Sequence, residues 1–284
     1  MTAVPRALRW RFRVTVVVAV VASAALAVAV ADAFSAAAAA RWLAVAAVPM
    51  GYTLWLLHGS LDENRPPARA PEEAEGATGP GVYWTLGVAN SVTLARGWLF
   101  AWVAGCLLVP PTVDALGAEA ATAVWAWVPA VGYGIGAGLD YVDGALATTV
   151  GRRTRLGERL DLAFDTMGFL VAPVVAVAWG ALPVWYLAIS AARYLFRFGC
   201  WVRERRGQPV GELPPSRVRR PLAGLQMAVV TFALLPVIRP AVAWPVATVA
   251  MLPSLAVFAR DYLVVTGRFP EANPNETPDL KSET

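Results

Sequence analysis

Eight apolar runs, each near the length that crosses a bilayer, divide this 284-residue chain, and four aspartates stand where the fourth run gives way to the fifth. The runs lie at about 14–34, 42–57, 84–109, 121–140, 161–181, 184–201, 222–238 and 242–265. An α-helix needs about 20 apolar residues to span the hydrocarbon core, where each backbone N–H and C=O must be satisfied within the protein. The pattern therefore predicts an all-α, polytopic membrane protein. Composition agrees: 57% of the residues are hydrophobic and the mean hydropathy is +0.53, more apolar than a soluble domain of this length.

The four aspartates come in two pairs. Asp140 and Asp143 are spaced i, i+3, and Asp161 and Asp165 are spaced i, i+4, so on helices each pair projects from one face. Ionised carboxylates next to a membrane interior are costly and mark function or a compensating cation. Two packed helices would bring the four together. Such a set suits a hard divalent ion, Mg²⁺ or Mn²⁺, with phosphate oxygens completing its shell.

Other chemistries find little support. Cys106 and Cys200 both lie in apolar stretches and suggest neither a disulfide framework nor a zinc site. His58 is the only histidine, which argues against a Ser-His-Asp arrangement. The net charge of +4 is carried by arginines clustered in particular loops, not interleaved with aromatics, so nucleic-acid binding is not indicated.

Four segments emerge. Residues 1–58 read as a two-helix membrane hairpin, 59–82 as a flexible polar linker rich in Pro, Glu, Ala and Gly, 83–265 as a six-helix membrane domain, and 266–284 as a disordered tail. A secretory signal peptide is the competing reading of the first run, since small-residue sites occur at 36–40. That run exceeds the roughly 7–15 residues of a signal core, and a second run follows at once, which favours an anchor. Arginines set the expected topology. The basic start (Arg6, Arg9, Arg11, Arg13), the linker with Arg96, and the loops at 152–159 and 203–220 fall on one side under eight spans. The connections at 110–120 and 180–183 carry neither Lys nor Arg, while Arg41 and Arg239 are misfits. Both termini and the aspartates are expected on the cytoplasmic side of the cell membrane.

Asp140, Asp143, Gly144, Ala147, Gly157, Asp161 and Asp165 resemble the signature of the CDP-alcohol phosphatidyltransferase family, D-x2-D-G-x2-A-R-x8-G-x3-D-x3-D, every one at the family's spacing. The single departure is Thr148, where the family carries arginine. Upstream, Asn90, Thr93 and Arg96 resemble the N-x2-T-x2-R that opens the family's first core helix. The resemblance in membrane layout covers about residues 83–265.

The resemblance implies transfer of a phosphatidyl-type group from a CDP-linked lipid donor to an alcohol acceptor, with release of CMP. It implies a site of two ions, Mg²⁺ or Mn²⁺, held by Asp140, Asp143, Asp161 and Asp165, with Asp165 also the base. Gly144, Ala147, Thr148 and Gly157 would line the nucleotide site. Arg193 and Arg197, i, i+4 within an apolar run, would meet the acceptor, for guanidinium matches phosphate well. A phosphorylated polyol such as glycerol 3-phosphate is then the expected acceptor. The segment 214–220 resembles a Pro-Ser-basic stretch ahead of a core helix in many members, and Arg260 with Asp261 reads as an intramembrane pair. The family is commonly dimeric, so a homodimer surrounded by membrane lipids is expected. Two alternatives stay open: a cation transporter using membrane aspartates, though no internal repeat supports it, and a catalytically silent relative acting as an interaction protein, motivated by Thr148.

Overall fold

The computed structural model describes residues 4–66, 81–111, 120–149, 153–211, 213 and 216–268; for 120–122 and 141–149 it describes the backbone alone. Among the described residues the chain is all-helical: α1 (Arg6–Ala33), α2 (Ala36–Gly59), α3 (Val88–Gly105), the short α4 (Ala120–Trp125), α5 (Val128–Thr149), α6 (Arg155–Ala178), α7 (Leu187–Arg205), α8 (Arg219–Leu234) and α9 (Pro240–Val265). Five helices are long and apolar enough to cross a membrane: α1, α2, α3 with its 3-10 extension to Leu108, α6 and α9. The other expected spans fall on α4 with α5, on α7 and on α8. The 19-residue α7 is interrupted by Arg193, Arg197 and Arg203, and α8 has only 16 residues.

Local sequence explains the helix ends. Ser35 caps α2, its hydroxyl accepting from the Ala38 N–H at 3.2 Å. Thr154 caps α6 by accepting from the Gly157 N–H at 3.0 Å. Proline opens α9 at its first position, where no helical N–H is needed. Two expected boundaries move. The helix carrying Asp140 continues to Thr149 instead of ending at the first aspartates. The next begins at Arg155, which puts Asp161 and Asp165 one to two turns further inside it than expected.

The centre of the bundle is where α3, α5 and α6 meet around Phe100, which is fully buried. A Cβ added to Gly136 of α5 or Gly168 of α6 would come 2.5 or 2.7 Å from that ring. Hydrocarbon supplies no hydrophobic drive between helices, so close backbone approach over small residues is what holds such a contact. A second clamp is polar. The Tyr186 hydroxyl donates to Gln226 Oε1 at 2.7 Å, and Gln226 Nε2 donates to the Ala250 carbonyl at 2.7 Å and to Ser254 Oγ at 2.9 Å, joining α8 to α9 and to the turn before α7.

The N-terminal hairpin shares the core of the remaining helices. Trp42 of α2 is buried against α3, and Trp102 of α3 donates to Ser23 Oγ of α1 at 3.0 Å. The first residues of the expected linker are also built in. Leu61–Glu63 form a 3-10 turn, and fully buried Asn64 donates to the carbonyls of Tyr83 at 3.3 Å and Thr85 at 2.8 Å. Residues 67–80 and 269–284, which carry the rest of the linker and the tail, lie outside the described residues.

Candidate carboxylate and phosphate site

Arg96 organises the site. It sits two turns into α3, fully buried, on the side turned to α5 and α6. Its Nη1 lies 3.0 Å from Asp140 Oδ1 of α5 and 2.7 Å from Asp161 Oδ1 of α6, and its Nη2 donates to Asp165 Oδ1, one turn further along α6. One guanidinium therefore holds three carboxylates from two helices. Oxygens of those three lie within 4.8 Å of one another, and each carboxylate keeps an exposed side, 27%, 46% and 30% for Asp140, Asp161 and Asp165. The cluster is thus backed by the core and open towards solvent.

Buried polar groups beside the cluster fix the helix ends that carry it. Asn90, two turns before Arg96, donates to Asn64 Oδ1 at 3.2 Å and to Thr154 Oγ1 at 3.1 Å, the same hydroxyl that caps α6. Gly157 was expected to make room for a nucleotide. In the structure the space above it is taken by Asn90, whose Oδ1 would lie 2.5 Å from an added Cβ. Arg65 and Glu63 complete the strap across α6: the Arg155 N–H donates to the Arg65 carbonyl at 3.0 Å, and Arg159 pairs with Glu63 at 2.6 Å.

Of the expected site residues, Asp140, Asp161 and Asp165 lie together. Asp143, Gly144, Ala147 and Thr148 belong to α5, but their side chains lie outside the described residues. Arg193 and Arg197 are not in contact with the three carboxylates. They line a separate cavity of about 490 Å³ between α6, α7, α8 and α9, which also includes Leu162 and Thr166, the residues following Asp161 and Asp165. Arg219 and Asp261 line it too. The expected pairing of Asp261 with Arg260 is only half of the arrangement: Arg260 Nη2 is 2.9 Å from Asp261 Oδ1, while Arg219 Nε of α8 is 2.6 Å from Asp261 Oδ2. Asp261 thereby ties the basic stretch after residue 216 to α9.

Two positions escaped the reading of residues as site members. Arg96 had a signal, its i+3 and i+6 placement after Thr93 and Asn90 on one helical face. Asn64 had none, being one polar residue at the margin of a Pro- and Glu-rich stretch.

Three carboxylates gathered this closely are the oxygen donor set that Mg²⁺ or Mn²⁺ takes, since bonds of about 2.1 Å put neighbouring ligand oxygens about 3 Å apart and opposite ones about 4.2 Å apart. The residues therefore fit a divalent ion, with Arg96 supplying the countercharge here. No match is found among curated proteins or among solved structures. The family model for CDP-alcohol phosphatidyltransferases does match, over residues 86–260, a stretch that contains Asn90, Arg96, the whole aspartate motif, Arg193, Arg197 and Arg219. Membership implies a membrane enzyme that transfers a phosphatidyl group from a CDP-alcohol, the chemistry a solvent-facing carboxylate cluster at a helix junction suits. This chain belongs to the CDP-alcohol phosphatidyltransferase family.

Proposed function

We propose that this protein transfers a phosphatidyl-type group, diacyl or diether, from a CDP-linked lipid to the hydroxyl of a phosphorylated polyol such as glycerol 3-phosphate, releasing CMP. The observation that carries the reading is the meeting of Asp140, Asp161 and Asp165 around Arg96, beside a cavity with arginines on its wall. In the reaction the acceptor oxygen forms a bond to the lipid-side phosphorus, the bond from that phosphorus to the CMP oxygen breaks, and the acceptor proton leaves to a base. Asp165 takes that proton. It stands one turn beyond Asp161 on α6, held by Arg96 and open on one side. Positioned general bases contribute about 10²–10⁴-fold.

Asp140, Asp143, Asp161 and Asp165 would hold two ions, Mg²⁺ or Mn²⁺, which when bound neutralise the pyrophosphate and the departing CMP. Gly144 and Ala147 keep the α5 wall of the nucleotide site small, and Thr148 offers a hydroxyl where relatives carry a charge. Arg193 and Arg197 bind the acceptor's phosphate in the cavity between α6 and α9, with Arg219 oriented there by Asp261. The arginine-rich segments 6–13, 152–159 and 203–220 support a cytoplasmic orientation for this end of the bundle, where soluble nucleotide and acceptor are found.

The test is CMP release by purified protein from CDP-diacylglycerol, with glycerol 3-phosphate, inositol phosphate, serine and phosphatidylglycerol compared as acceptors, with and without EDTA. Release should depend on Mg²⁺ or Mn²⁺ and be fastest with a phosphorylated polyol. Asp165→Asn should lower it by about 10²-fold or more without changing the thermal unfolding of the protein. Turnover unaffected by Asp165→Asn, or no metal-dependent release with any acceptor, would refute the mechanism.

A further inference from the structure

We propose that the groove between the N-terminal halves of α1 and α3 binds one anionic phospholipid of the surrounding bilayer, at a site separate from the carboxylate cluster. The groove is a cavity of about 830 Å³ open to the outside, lined on α1 by Ala7, Trp10, Arg11, Val14 and Thr15. Those positions follow i, i+3, i+4, i+7, i+8 and form one helix face. Trp84, Leu86, Val92 and Ala95 supply the opposite wall.

Trp102 of α3 reaches Ser23 of α1, and from there α1 runs back to Arg11 over 12 residues, about 18 Å at 1.5 Å each, with the groove beside its first turns. There Arg11 stands over the Trp84 ring, its guanidinium carbon 5.5 Å from the ring centroid. Arg11 is exposed and pairs with no carboxylate among the described residues. The site thus grades from a cation flanked by Trp10 and Trp84 to an aliphatic wall of Val14, Val92 and Ala95. That gradient matches a phosphate headgroup followed by glycerol and acyl chain at the interfacial belt. Arg6, Arg9 and Arg13 on the same turns add positive potential without lining the groove.

The site is not the catalytic one. On α3 the groove takes Ser91, Val92 and Ala95, while Asn90, Thr93 and Arg96 are buried on the side facing α5 and α6. It also depends on α1, which precedes the family match beginning at residue 86. The inference therefore holds whatever the acceptor of the transfer reaction is.

The test reconstitutes the purified full chain in nanodiscs of phosphatidylglycerol and phosphatidylcholine in equal amounts, extracts it into mild detergent, and quantifies both retained lipids by mass spectrometry. The wild type should retain phosphatidylglycerol in preference, at up to one molecule per chain. Arg11→Gln should cut that preference about fivefold, the effect of one basic side chain at the headgroup level, and Arg11→Lys should restore most of it. Arg9→Gln, on the far side of α1, should leave it intact. Val92→Trp, which fills the wall, should remove the retained molecule while CMP release in detergent persists. Equal retention of both lipids, or an identical preference in Arg11→Gln, would overturn the proposal. So would an equal loss in Arg9→Gln, which would show a diffuse basic surface.

Discussion

Replacing Arg96 by glutamine separates its role from that of any bound ion. Three carboxylate oxygens within 4.8 Å of one another repel by about 3.5 kcal/mol per pair at an effective dielectric constant near 20, so about 10 kcal/mol in all. Arg96, with charge centres about 4 Å away, attracts each by about 4 kcal/mol on the same scale. The two totals are close, with the half-exposed Asp161 screened most strongly on both sides. Arg96 is therefore what makes the gathered carboxylates tolerable without metal. Removing one partner of a buried ion pair costs about 3–5 kcal/mol, part of the repulsion being relieved by proton uptake.

For a chain of this size each kcal/mol moves the unfolding midpoint by about 2–4 °C, so Arg96→Gln in EDTA should unfold on the order of 10 °C below the wild type. Millimolar Mg²⁺ or Mn²⁺ should then raise the variant's midpoint more than the wild type's, because the ion becomes the main countercharge. The assay is thermal unfolding in detergent followed by the fluorescence of the chain's 12 tryptophans, in EDTA and in metal, at one scan rate. A variant as stable as the wild type in EDTA would mean that the carboxylates do not depend on Arg96. Equal metal shifts in both proteins would show that the ion does not share those carboxylates with it.

Run length and the aspartate spacing made much of this architecture legible. Hydrophobic burial is a bulk property, so apolar stretches located the helices, but they located their ends poorly. Hydropathy placed the start of α6 near Asp161 because Arg155, Glu158 and Arg159 look like loop. In the structure these residues form the polar first turns of the helix, capped by Thr154. Likewise α5 runs through its aspartates, since Asp140 at its position on one face interrupts nothing in the backbone ladder. Pair geometry was legible where both partners lay on one helix, as with Asp161 and Asp165. It was not legible where partners are 65 and 69 residues apart, as Arg96 is from those two. Asn64 lay furthest from view, because two of its partners are main-chain carbonyls, of Tyr83 and Thr85, which any residue type supplies, and the third, Asn90, is 26 residues away.

Asn64→Ala should destabilise the protein by about 1–3 kcal/mol, because it removes the two side-chain bonds to the Tyr83 and Thr85 carbonyls and takes the Oδ1 acceptor from buried Asn90. Limited proteolysis should then cut sooner near residues 59–66 than in the wild type, and an unchanged cleavage rate there would mean that the strap is held by other contacts. Gly168→Leu tests whether helix spacing controls the carboxylates. A Cβ at 168 would stand 2.7 Å from Phe100, and Phe100 is enclosed by α5 on its other side through Gly136, so the ring has no free direction in which to retreat. Overpacking of this kind costs about 1–3 kcal/mol, and the displacement falls on α6 one turn from Asp165. CMP release should therefore drop well beyond what the fraction of folded protein explains, whereas Leu170→Ala, on the exposed side of the same helix, should leave it intact. Equal activities in the two variants, measured at a temperature where both are folded, would show that α6 can shift against α3 without moving its carboxylates away from Arg96.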